Sequence, residues 1–181
     1  IKRAFAAAWE AIAASVRPDL RPGARLGVGG FLIEVPGAPV GEELAALAQL
    51  ITEDGAQRVA ILTLNDPYGT GLAANAVKNL EVAGIASDQI KKIIYDPNAQ
   101  SFNAEVDQVK EFNPDAVAVI GFEESAKILT RMHEIGIGPS DGTLVYGTDG
   151  NMGNALGEGV APGLVKGMKG TTPLSELSPD F

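Results

Sequence analysis

Four short stretches carry side chains able to recognise a small polar molecule: "NDPYGTG" from Asn65, "DPNAQS" from Asp96, "GFEES" from Gly121 and "GTDGN" from Gly147. Together they offer Asn65, Asp66, Tyr68, Asp96, Phe122, Glu123, Asp149 and Asn151, an acidic and aromatic set without a basic residue. A carboxylate facing an ammonium makes charge-assisted hydrogen bonds of about 1.5–3 kcal/mol. An aromatic face beside it adds cation–π attraction. Tyr68, Phe122 and Asp149 therefore have the types for half an aromatic cage around an ammonium. Asp149 precedes Gly150, so it can equally be a plain turn residue. Tyr68 can equally be a half-buried ring packed on a neighbouring loop.

Other chemistries fit these residues poorly. "NDPYGTG" matches neither GxxxxGK[ST] nor GxGxxG, so a phosphate cradle is not expected. Asp66 is instead placed to cap a helix, with Pro67 at its first position, a backbone role for both. "DPNAQSFNAEVD" half-resembles a calcium loop, but Ser101 stands where glycine is needed and Asp107 where glutamate is needed. His133 is the single histidine, beside Arg131 and Glu134 on a helix, which reads as a solvated face. It lies away from the four stretches and cannot by itself build a multi-histidine metal site or a catalytic triad. Glu123 and Glu124 are adjacent, so at most one is expected to face a crevice. No nucleophile–base pair stands out, and neither an enzyme nor a cofactor is expected.

The elements that must position these residues alternate. Leu44, Leu47, Ala48 and Ile51 mark a helix from Gly41, ended by Gly55. A strand follows at 59–64. A helix with Leu72, Ala76, Leu80 and Ala83 on one face stops at Gly84. The pattern continues with a strand at 89–96, a helix marked by Phe102, Val106, Val109 and Phe112, and a strand at 116–121. It ends with a helix marked by Ile128, Leu129, Met132 and Ile135 and closed by Gly136, then strands at 143–147 and 163–170. This alternation predicts βαβ units, hence a doubly wound parallel sheet in a three-layer αβα arrangement. Ligands bind such sheets outside the carboxyl ends of the strands, where the four stretches fall.

The rest of the chain bounds the answer. There are 181 residues, 45% hydrophobic and 20% charged, with a net charge of -9. The acidity argues against nucleic acid and for solubility. With no cysteine, disulfides and thiolate chemistry are excluded. No apolar run reaches the roughly 20 residues that span a bilayer. The chain starts at Ile1, as expected of a processed product or an excised piece. Ile1, Phe5, Ala8, Ile12 and Val16 line one face of a predicted helix, and Glu10 interrupts what would otherwise pass for a signal sequence. "RPDLRPG" from Arg17 is a loop, "ARLGVGGFLIEV" is ambiguous, with room for one strand weakened by Gly27, Gly29 and Gly30, and "PGAPVG" from Pro36 is the expected hinge or boundary.

Three ordered segments carry a resemblance: "RVAILTLNDPYGTGLAANAVKNLEVAGI", "YDPNAQSFNAEVDQVKEFNPDAVAVIGFEESAKIL" and "VYGTDGN". With their spacing they resemble the type I periplasmic binding proteins, nearest to the leucine/isoleucine/valine-binding branch of ABC-importer receptors, from about Gly41 to Phe181. The resemblance implies a Rossmann-like ligand-binding lobe over 36–170, the second of two that close on a solute. Residues 171–181 would leave toward the first lobe. Residues 1–35 would hold the helix and a partial segment of the first lobe, or an unrelated remnant. By the same resemblance Tyr68 and Phe122 contact the ligand, Glu123 is a further candidate, and Asp149 holds an amino acid's ammonium. The implied partners are a small molecule, an amino acid in the first instance, and an ABC permease in the membrane. The implied location is periplasmic or extracellular, free or lipid-anchored. A ligand-sensing domain of a receptor or regulator is the alternative use of the same fold. Residues 1–30 depart from the family's first lobe, and the closing segment that returns to it is absent after Phe181, so the chain is expected to be a fragment or an unusual arrangement holding half a site.

Overall fold

The computed structural model describes residues 25–28, 31–34 and 40–171. The helix expected over 1–16, the loop at 17–23, most of the 36–41 hinge and nearly all of 171–181 lie outside the described residues. Two strands, β1 (Arg25–Val28) and β2 (Phe31–Glu34), form an antiparallel pair. The stretch read as ambiguous, with room for one strand, thus holds two short strands paired with each other.

The remaining elements follow in the expected order. They are α1 (Val40–Glu53), β3 (Val59–Leu64), α2 (Pro67–Val82), β4 (Ile90–Tyr95), α3 (Asn103–Phe112), β5 (Ala116–Ile120), α4 (Ser125–Glu134), β6 (Leu144–Gly147), the short α5 (Asn154–Glu158) and β7 (Lys169–Gly170). β3 to β7 make one sheet in the order β4-β3-β5-β6-β7, with every neighbouring pair parallel. The chain steps from β3 outward to β4, then returns across β3 to β5. That reversal opens a crevice between the carboxyl ends of β3 and β5.

Register assigns the two faces. Tyr95 pairs with Leu64, Leu62 with Val119, and Val119 with Gly147. Side chains alternate along a strand, so Tyr95 and Tyr146 point to opposite sides. Tyr95 meets Phe102 at the start of α3, and Tyr146 meets Asp54 at the end of α1. Helices α1 and α2 pack together on one face, α3 and α4 on the other, which gives the αβα sandwich.

β3 and β5 are central and buried at every position, as fits continuous apolar runs covered on both sides. Leu44, Leu47, Ala48 and Ile51 are buried as their spacing predicts, and so are Ala46 and Leu50, because α1 packs on α2 as well as on the core. Each fully buried leucine or isoleucine contributes about 1.5–3 kcal/mol. Ala83 departs from expectation: it is exposed and is the C-cap of α2 rather than part of its buried face. The strand expected over 163–170 shrinks to Lys169–Gly170. Gly163 and Gly167 take φ of 85° and 94°, left-handed values that no strand contains. Among the described residues no helix is long and apolar enough to cross a membrane.

Candidate functional site

Tyr68 is placed by the turn that precedes it. The Asp66 side chain accepts the Gly69 N–H at 2.6 Å and Pro67 opens α2, the cap geometry expected of Asp-Pro. Gly69 is there for space, since a Cβ would lie 2.4 Å from Leu64 Cδ2 and 2.5 Å from Leu64 O. The first turn of α2 therefore sits directly on the end of β3, and Tyr68 projects from it half-buried.

Three of the four nominated residues come together. The Tyr68 hydroxyl donates to Asp149 Oδ1. The Tyr68 and Phe122 rings stack with centroids 5.2 Å apart and planes 24° from parallel. Tyr68 follows β3, Phe122 follows β5 and Asp149 follows β6, so the cluster straddles the crevice between β3 and β5. Gly150 packs on Phe122: a Cβ there would come within 3.0 Å of its ring and 2.5 Å of Gly121 O. Phe122 is 43% exposed, and one face of its ring lies on Tyr68. The two rings lie against each other and are not the two walls of a cage. Glu123 is exposed on the same turn.

The other rim residues have local work. Asn151 is 4% exposed. Its amide nitrogen donates to Val119 O at 2.9 Å and lies 3.0 Å from the Ser125 hydroxyl, and its Oδ1 accepts the Thr148 N–H at 3.0 Å. It ties the loop after β6 to the end of β5 and sets the turn from which Asp149 projects. Asp96 is exposed and accepts the Asn98 N–H at 2.9 Å, an Asx turn. Asn65 is exposed, and its N–H donates to Tyr95 O at 2.8 Å.

Of Glu123 and Glu124, the second turns inward. Glu124 Oε1 lies 2.8 Å from the Tyr95 hydroxyl and accepts the Phe122 N–H at 3.0 Å. Burial, reinforced by the Glu124 carboxylate, holds the Tyr95 phenol well above its ordinary titration range, so it stays a donor. Neither role is legible in the sequence, where Tyr95 is one strand residue among several. Residues 96–107 are a turn followed by the first half of α3, with Phe102 2% exposed, so they do not form a twelve-residue cation loop. His133 is exposed and sits 2.9 Å from Asp141 Oδ2, while Arg131 pairs with Asp107 and Glu134 at 3.1 and 3.3 Å. These groups lie on α3, α4 and the loop after α4, apart from the rim.

With this geometry in place, comparison with known proteins gives a consistent answer. A family profile described as "Periplasmic binding protein" matches residues 36–176. A leucine-binding protein from Thermotoga maritima superposes with a TM-score of 0.59 at 24% identity, over 67% of this chain and 34% of that one. A Rhodospirillum rubrum protein provisionally assigned as a branched-chain amino acid ABC transporter gives 0.66 at 20%, over 80% and 40%. A fatty acid ABC transporter substrate-binding protein from Thermomonospora curvata gives 0.60 at 13%, over 74% and 34%. At these identities the structures share the fold, and the chain corresponds to a third to two-fifths of their length. No curated protein matches the sequence. With most of its length matched by the family profile and its sheet built as a type I lobe, the chain belongs to the periplasmic binding protein family.

Proposed function

We propose that this chain is a ligand-binding lobe of an extracytoplasmic solute-binding protein serving an ABC importer, and that it takes an amino acid of the branched-chain kind or a similar small polar solute. The observation that carries the reading is the convergence of Tyr68, Phe122 and Asp149 at the crevice between β3 and β5. Asp149 receives the ammonium through charge-assisted hydrogen bonds. The Tyr68 hydroxyl, donating to that carboxylate, fixes its direction. Phe122 covers the ligand's apolar part, and Glu123 adds negative potential at the mouth. Binding closes two lobes around the solute, the closed state is what a membrane permease recognises, and no bond is made or broken. The location is periplasmic or extracellular.

The family match and the leucine-binding relative support this reading, and the fatty acid relative sets its alternative. The test is isothermal titration of the full-length protein against the twenty amino acids and a panel of carboxylic acids without an amine. Expected is tight binding of some amino acids, weakened about tenfold or more, near 1.4 kcal/mol, by Asp149→Ala. Undiminished binding in that variant removes the ammonium role. Preference for an amine-free acid moves the ligand class.

A further inference from the structure

Glu124 neighbours the rim, and its carboxylate is engaged by groups of the protein itself. Its Oε1 is shared by two donors from different elements, the Tyr95 hydroxyl of β4 at 2.8 Å and the Phe122 N–H at 3.0 Å. The Tyr95 oxygen also lies 3.0 Å from Ile120 O, the last carbonyl of β5. Gly121 fills what remains: a Cβ there would lie 2.1 Å from the Tyr95 oxygen and 2.6 Å from Glu124 Oε1. The Tyr95 hydroxyl and the Glu124 carboxylate thus sit together against Gly121 and hold the backbone from Ile120 to Phe122 through the Ile120 carbonyl and the Phe122 N–H.

The clamp is anchored in the core. Tyr95 is 1% exposed and meets Phe102 edge-on at 5.2 Å. Phe122 is 43% exposed, so burial alone does not fix its ring. Its orientation depends on where its backbone is held and on the Tyr68 and Gly150 surfaces it rests against.

We propose that Glu124 and Tyr95 are positioning residues of the rim: they hold the Phe122 backbone so that its ring stays on Tyr68 and within reach of ligand. Neither touches the ligand. The proposal rests on the reading of Phe122 as a ligand contact, and it adds two residues on which binding depends. Glutamine keeps the acceptor oxygen at position 124 and alanine removes it, so the two variants separate a hydrogen-bond role from a need for charge.

The experiment uses the full-length protein in two readouts. The first needs no ligand: the ring-current shift that Phe122 imposes on the Tyr68 ring protons, with Phe122→Leu defining its size. Glu124→Ala and Tyr95→Phe are expected to reduce that shift, and Glu124→Gln to keep it. The second is titration with L-leucine. Glu124→Ala is expected to weaken binding about fivefold, Glu124→Gln to restore it, and Glu124→Ala to add less than about twofold in a Phe122→Leu background, since residues acting through one another are not additive. An unchanged ring shift in both Glu124→Ala and Tyr95→Phe overturns the proposal. So does equal weakening in the two backgrounds, which marks a general packing role. A lost ring shift with Phe122→Leu binding L-leucine normally supports the clamp while overturning the reading of Phe122 as a contact.

Discussion

Tyr68 and Tyr146 make the same bond, a phenol donating to an aspartate, in opposite surroundings. Tyr146 is 1% exposed and donates to Asp54 Oδ2 at 2.5 Å. Lys169, its partner across β6 and β7, reaches both Asp54 oxygens at 2.6 Å. There the carboxylate is matched by a cation, and the cluster ties the end of α1 to the edge of the sheet. Tyr68 and Asp149 are both half-buried, next to an exposed phenylalanine, and the four rim stretches contain no lysine or arginine. One cluster is a strut closed on itself. The other lies at the carboxyl-end rim of the sheet, against the half-exposed Phe122 ring.

Removing each aspartate sharpens the contrast. Asp54→Ala takes away the acceptor of a buried hydroxyl and the counter-charge of Lys169, and is expected to cost about 2–3 kcal/mol in urea unfolding, with ligand affinity within about twofold of the original. Asp149→Ala is expected to do the reverse: affinity falls about tenfold, near 1.4 kcal/mol, while stability falls by only about 1 kcal/mol, the worth of the half-buried Tyr68 hydrogen bond. If both variants lose stability alike, the rim pair is a second strut and the proposed ligand role of Asp149 goes. Asp66→Ala tests a third case, a residue that serves the rim only through backbone. Loss of its cap is expected to cost about 1 kcal/mol, read by the same unfolding curves, with a smaller loss of affinity than Asp149→Ala causes.

The same contrast explains what the sequence can show. The strand-to-helix turn at Asp66 and Pro67 is legible because cap chemistry is local. The sheet is legible because apolar runs alternate with amphipathic helices. Placing Tyr68, Phe122 and Asp149 on one rim needs only the rule that such sheets work at their carboxyl ends. The strut was not legible: Asp54 and Lys169 are 115 residues apart, and nothing local signals their contact. The same holds for Glu124, which adjacent spacing could not tell from Glu123 and which the structure turns inward to Tyr95. Asn151 misled for a related reason. An amide in a polar loop looks like a rim donor, yet it is consumed by Val119 O, Ser125 and Thr148.

The smallest predicted effect concerns protons. Burial first, then the hydrogen bond to Asp54 and its charge, hold the Tyr146 phenol well above its ordinary range. The sign follows from which state keeps the proton. In an unfolded chain a tyrosine loses it near pH 10, while native Tyr146 retains it at that pH. The native state then binds more protons than the unfolded one, so stability falls as pH rises. The contribution of Tyr146 is whole below about pH 10 and drains away above it. Tyr95 adds a second term of the same sign. Tyr146→Phe is therefore expected to lower stability near neutral pH by about 1 kcal/mol and to make the decline above pH 10 shallower, by at most about 1.4 kcal/mol per pH unit. Urea midpoints between pH 9 and 11 measure both. Parallel slopes for the two proteins would mean that Tyr146 ionises as readily folded as unfolded, and that water and hydroxide reach the cluster at Asp54 as they reach the rim at Asp149.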